Sequence, residues 1–336
     1  MPGSLDAFGA CAHKESTPST AVLYCSLLAV AYVASLYLFV PSAIRRLPRD
    51  HPTHIQFRSL ACLIVSTAAI VTYPYLFCAD DGIENNNSRG RIFSIGKAAL
   101  LPPLDDGWFR GIFGVLLHTC ILYAGATLGS VLFTYEIRNR SAPVEGQQRH
   151  QTTTTIGTIR EFRFGMVPSS NERFWITMRN YCIAPLTEEI VFRGCMIPSL
   201  LATGMSPARV SLVAPLFFGI AHVHHAATRI LRGERPKAVL LMTTFQFAYT
   251  SLFGAYASHA FIRVGSVLPV TLSHGYCNWM GLPDPSFYRN PRHPVHKHRM
   301  LVLAVYLVGI CAFWYMFRVD ALLPLRQTLP ALINSE

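Results

Sequence analysis

Charge is scarce in this chain. Only 14% of its 336 residues are Asp, Glu, Lys or Arg, whereas 51% are hydrophobic and the mean hydropathy is +0.32. A chain of this length has room for two soluble domains, but that balance points instead to a membrane protein. Cysteine pairing is also missing. The nine cysteines (Cys11, Cys25, Cys62, Cys78, Cys120, Cys182, Cys195, Cys277, Cys311) are scattered, mostly within apolar runs and with no Cys-x-x-Cys, so neither a disulfide framework nor a thiolate zinc site is indicated. No His-Glu-x-x-His occurs, and no internal repeat of the kind that marks inverted-repeat transporters. Acidic residues are outnumbered 18 to 29 by basic ones. The basic residues lie in loops between apolar segments, which is how topology signals are distributed, so no nucleic-acid partner is expected.

What is present is a series of apolar segments, at about 21–40, 59–78, 111–134, 181–202, 208–224, 238–262, 266–282 and 300–318. Most approach the roughly 20 residues needed to cross a bilayer core. The expected fold is therefore all-α, a polytopic integral membrane bundle of about eight transmembrane helices. Its divisions are a short lumenal tail (1–20), one membrane domain (21–318) and a C-terminal tail (319–336). The polar start and long first run read as a retained span rather than a cleaved signal peptide. If 41–58 is cytosolic, alternation also puts 135–180, 225–237 and 283–299 there, and these loops carry nineteen of the 29 Lys and Arg. That asymmetry predicts both termini on the far side, with the Asn86-Asn87-Ser88 sequon lumenal. The linker 141–171 is polar, and a solvated loop is the expectation.

Ala184-Pro185-Leu186-Thr187-Glu188-Glu189-Ile190-Val191-Phe192-Arg193-Gly194 sets two carboxylates and an arginine inside an apolar span, where each unpaired charge costs about 2.5–3.5 kcal/mol. Glu189 and Arg193 are four apart on one helical face and read as a self-compensating ion pair. Glu188 lies about 100° further round with no partner in its own turn, the position of a general base. His222, His274 and Asn278 fall at similar depth on the side read as cytosolic. His274 and Asn278 are again four apart, so an imidazole and an amide donor can serve one oxyanion. His222 can help deprotonate a water beside Glu188, and His225 can support His222. His118 and His259 read as hydrogen-bonded packing residues. A zinc site of one Glu and two His remains open on spacing alone.

These residues resemble the type II CAAX prenyl endopeptidases, the Ras-converting enzymes, within the wider group of membrane-embedded glutamate proteases. The matching patterns are Glu188-Glu189-x-x-x-Arg193, Phe218-x-x-x-His222 and His274-x-x-x-Asn278, in register over roughly 180–283. The resemblance implies an endoplasmic-reticulum membrane enzyme, catalytic core about 172–283, that removes the aaX tripeptide from prenylated CaaX proteins such as Ras-type small GTPases. In that family the first glutamate and first motif histidine activate water, and the second histidine and the asparagine form the oxyanion hole. Carried over, these are Glu188, His222, His274 and Asn278, supported by Glu189, Arg193 and His225. The resemblance further implies that no cofactor or metal is needed, and that the cavity is open to cytosol and bilayer. A prenyl chain partitions into lipid and holds its cysteine at the interface. Phe192, Phe217, Phe218, Trp279 and Met280 are candidate walls. The competing readings are a membrane protease of unprenylated peptides and a non-catalytic multispan scaffold or transporter.

Overall fold

The computed structural model of the chain describes residues 16–77, 106–140, 169–221, 224–231 and 233–318. Among them every regular element is a helix: α1 (Pro18–Leu38), α2 (Pro52–Phe77), α3 (Asp106–Leu122), α4 (Ala124–Arg140), α5 (170–201), α6 (Pro207–Ala221), α7 (His224–Leu231), α8 (Pro236–Val264), α9 (Val267–Met280) and α10 (Arg299–Arg318). The protein is a polytopic helical membrane protein, and each of the eight apolar segments is mainly helical over its described residues. The segment expected as one span at 111–134 is a pair, α3 and α4, bent by 64° about Tyr123. Among the described residues, four helices taken alone are long and apolar enough to cross a bilayer, or five with the bent pair counted once. The remaining segments are short or, in α5, carry polar site residues and are interrupted by π turns, and they are helical nonetheless. Most of the N-terminal tail expected to be lumenal, the sequon loop, the linker over 141–168 and the C-terminal tail lie outside the described residues, as does His222.

Local chemistry explains the helix ends. Thr17 caps α1 by accepting the Thr20 amide, and Pro18 opens the helix with a preset φ. α5 begins with a capping box, in which Ser169 and Glu172 satisfy each other's backbone N–H. α8 ends at Gly265, whose φ of 69° is the left-handed conformation that glycine adopts without penalty, and Ser266 then caps α9.

The outer faces carry large apolar side chains with no protein cover, among them Leu27, Val30, Leu240, Leu252 and Val308. Such a belt is unfavourable in water and neutral against lipid tails. The interior holds a continuous apolar cluster running from Tyr24 and Phe77 through Phe192 and Met196 to Phe261 and Val267. α5 crosses that interior, with α1, α2, α6 and α9 packed around it.

α5 is not a uniform α-helix. It has π turns at Arg179–Ile183 and Ile190–Cys195, which flank an α segment at Ala184–Glu189. Pro185 accounts for the first. It has no N–H, so the Tyr181 carbonyl loses its α-helical donor four residues on, and the Ala184 N–H bonds to Arg179 O. The Asn180 carbonyl then has neither Ala184 nor, five residues on, Pro185 as a donor. Both carbonyls face α9. A methyl group on Gly275 would stand 2.5 Å from Tyr181 O, so only glycine permits this approach.

Candidate active site

That close crossing sets His274, the residue before Gly275, against the two glutamates of α5. Glu189 is fully buried, and its Oε1 accepts from Arg193 Nη1 at 3.1 Å and from His274 Nδ1 at 2.7 Å. The ion pair expected from spacing is thus part of a three-membered group. Arg193, 1% exposed, also lies over the Phe218 ring, with Cζ 4.8 Å from the centroid. Gly254 makes room for it, since a methyl there would meet Pro215 and approach Arg193 Nη2 to 3.3 Å. Among the described residues Glu189 Oε2 and Arg193 Nη2 have no hydrogen-bond partner.

Glu188 differs from its neighbour. Its side chain is 20% exposed, and its Oε2 stands 3.7 Å from His274 Nε2, beyond hydrogen-bond range. It lines a cavity of about 120 Å³ with Tyr32, Cys62, Thr187, Phe192 and Phe218. Thr187 anchors the helix at this level, bonding its hydroxyl to Tyr32 Oη at 2.9 Å and to the Ile183 carbonyl. His274 and Asn278 are not in that wall, and His274 meets it through Glu188. Phe218 and Phe253 hold the imidazole, with ring centroids 6.2 Å and 5.2 Å away.

Asn278 Nδ2 donates to the Asn180 carbonyl at 3.0 Å, the carbonyl that the π turn and Pro185 leave without a helical donor. The proline that breaks the α5 ladder therefore also provides the acceptor that orients Asn278. The structure brings together Glu188, Glu189, Arg193 and His274, and fixes Asn278 one turn beyond His274. His222 lies outside the described residues, and the His225 side chain is likewise not described. His118 is a packing residue, fully buried with Nε2 on the Phe313 carbonyl at 2.9 Å, and His259 stacks on Phe317. Of the candidate walls, Phe192 and Phe218 line the cavity, whereas Trp279 is 49% exposed. No three His, Cys, Asp or Glu among the described residues are grouped to hold a metal, a statement that does not include His222.

Two carboxylates against one histidine, inside a helical membrane bundle, is an unusual arrangement, and its span coincides with a known family. Residues 170–280 match the family model described as Type II CAAX prenyl endopeptidase Rce1-like. The chain is 31% identical over 303 residues to CAAX prenyl protease 2 of Arabidopsis thaliana, covering 88% of this chain and 87% of that protein. It is 33% identical over 301 residues to CAAX prenyl protease 2 of Homo sapiens, covering 87% and 78%. This chain belongs to the type II CAAX prenyl endopeptidase family. The likeness extends well beyond the motifs, since CAAX prenyl protease 2 of Saccharomyces cerevisiae also aligns at 36% identity over 275 residues, 77% of this chain and 79% of that one. The chain is accordingly a membrane protease of the CAAX-processing class. No solved structure matches it.

Sequence spacing did not reveal the Glu189–His274 contact, which joins two helices 85 residues apart in the chain. The signals that bear on it are Pro185, which frees carbonyls on α5, and Gly275, which lets α9 reach them. Arg49, Arg58 and Arg179, which also line the cavity, counted in the sequence only as topology signals.

Proposed function

We propose that the chain cleaves prenylated CaaX proteins at the prenylcysteine and releases the aaX tripeptide, with Glu188 as the base that activates water. The observation that carries this is the division between the glutamates: Glu189 is buried and spent on Arg193 and His274, whereas Glu188 borders the cavity without a hydrogen bond to His274. Groups 3.7 Å apart can share one oxygen lying to the side of the line between them, at ordinary hydrogen-bond lengths from each. Glu188 takes a proton from that water, the resulting hydroxide attacks the scissile carbonyl, the oxyanion accepts from His274 Nε2–H and from the Asn278 amide, and on collapse the C–N bond breaks as Glu188 returns the proton to the departing amine. The amide has two N–H groups, and the bond to Asn180 O orients the pair. His222 assists in holding the water, with His225 behind it.

Side chains supply the base, the proton returned to the amine and the oxyanion donors, so the proposed mechanism uses no metal. Localisation in the endoplasmic-reticulum membrane with the site facing the cytosol fits the charge asymmetry, because Arg49 and Arg58 of the first basic loop border the same cavity as Glu188.

The test uses membranes containing the chain and two peptides of one CaaX sequence, farnesylated and unprenylated. Tripeptide release from the farnesylated peptide alone is the expected result. Equal cleavage of both would replace this reading with a protease of unprenylated membrane peptides, and cleavage of neither by folded protein would favour a scaffold or transporter.

A further inference from the structure

The cavity beside Glu188 has a second chemical character. Its wall also includes Arg49, from the loop between α1 and α2, Arg58, from the first turns of α2, and Arg179, from the first π turn of α5. Three guanidinium groups around a cavity of about 120 Å³ form a concentrated positive field, and one carboxylate, Glu188, faces them in the wall. Arg179 is neutralised outside the cavity. It pairs with Asp50 at 2.8 Å and donates to Asn180 Oδ1 and to the Arg49 carbonyl, which ties the loop to the site helix. Among the described residues neither the Arg49 nor the Arg58 guanidinium has an ion-pair or hydrogen-bond partner. Although Arg49 has open surface, the protein around it disfavours its charge, and the Arg58 and Arg179 charges add to that, so its pKa is pushed down. Three guanidinium groups at one cavity, two of them with no ion-pair or hydrogen-bond partner among the described residues, indicate an anionic ligand.

Resting on the reading of the chain as a CaaX tripeptide-releasing protease, we infer that Arg49, Arg58 and Arg179 bind the free C-terminal carboxylate of the substrate and so set the cut three residues from the chain end. The distances agree. Arg179 and Glu188 are nine residues apart on α5, about 13 Å of helical rise, and both side chains reach into one cavity. An extended tripeptide covers about 10 Å from scissile carbonyl to terminal carboxylate. A guanidinium fork is the side chain best matched to a carboxylate, and Arg49 and Arg58 supply two that are not already engaged with described residues. A fixed anion site three residues beyond the attacking water excludes cleavage within longer chains, where no carboxylate stands at that distance.

A lipid headgroup phosphate has similar anion chemistry, so the experiment must separate the two sources. Farnesylated CaaX peptide with a free C-terminal carboxylate is compared with its C-terminal amide, using wild type, Arg49→Gln, Arg58→Gln and Arg58→Lys in vesicles with and without anionic lipid. Thermal unfolding is followed alongside. Wild type is expected to favour the free acid by about 10- to 100-fold in kcat/KM, the range of a charge-assisted hydrogen bond or two. In Arg49→Gln and Arg58→Gln that acid-to-amide ratio should collapse towards one, mainly through KM, with partial recovery in Arg58→Lys. Arg49 lies on an exposed loop, so its variant reports even if Arg58→Gln loses its fold. Acid and amide cleaved alike by wild type would overturn the inference. So would a ratio that survives in both Gln variants, or arginine effects that appear only with anionic lipid. Failure of wild type to cleave either peptide would instead overturn the underlying protease reading.

Discussion

Replacing Glu189 by glutamine keeps the side chain's size and removes its charge. The structure sets what that costs. Arg193 is 1% exposed and is paired through Glu189 Oε1, so the change leaves a buried guanidinium without its counterion, a loss of about 3–5 kcal/mol. Glu189→Gln should therefore lower the thermal unfolding midpoint in detergent, and lost activity alone would say little about chemistry. The double variant Glu189→Gln/Arg193→Met separates the two effects. Methionine fills the arginine stem's volume without charge, so most of the lost stability should return. Activity should not return, because His274 Nδ1 still lacks the carboxylate that orients its ring. Loss of such a carboxylate behind an active histidine costs up to about 10⁴-fold in turnover. The assay is tripeptide release from a farnesylated CaaX peptide at equal amounts of folded protein. Recovery of activity together with stability would show that Glu189 only neutralises Arg193. A single variant as stable as wild type would refute the buried-charge reasoning itself.

Other outcomes follow from the same geometry. Gly275→Ala puts a methyl 2.5 Å from Tyr181 O, a backbone atom, so α5 and α9 must separate; a destabilisation of about 1–3 kcal/mol and a larger fall in activity are expected, read by thermal unfolding and tripeptide release. Asn278→Ala should lower kcat by about 10²- to 10³-fold with little change in KM, the loss typical of one oxyanion donor, in steady-state kinetics on the farnesylated peptide. Exhaustive chelation should leave activity intact; loss that added zinc restores would revive a metal mechanism with His222 among the ligands.

Much of the fold was legible because a bilayer imposes a simple rule. A backbone in lipid must satisfy its own hydrogen bonds, so each apolar run becomes helical, as the described residues of the eight segments are. The 64° bend about Tyr123 was not legible, since both halves of 111–134 are apolar and hydropathy does not register direction. Within the site, the i, i+4 relation of Glu189 and Arg193 follows from α-helical geometry, and the 3.1 Å contact is seen although a π turn begins at Ile190. The contact of His274 with Glu189 depends on how closely two helices cross, and that distance is set by Pro185 and Gly275 acting on opposite sides. Either residue alone reads as ordinary punctuation in a membrane helix. The arginines of the first loop were read for orientation, and only tertiary structure puts Arg49 and Arg58 on the cavity that Glu188 faces.

The central claim is that Glu188, not Glu189, activates the water. The most direct measurement is single-turnover tripeptide release from a farnesylated CaaX peptide by Glu188→Gln, a change of one atom in a side chain that is 20% exposed and stands beyond hydrogen-bond range of His274. The account predicts a rate lower by about 10²- to 10⁴-fold, the contribution of a positioned general base, with an unfolding midpoint equal to wild type. A folded Glu188→Gln protein that releases the tripeptide within about twofold of the wild-type rate would contradict it, a gap far smaller than any general-base contribution.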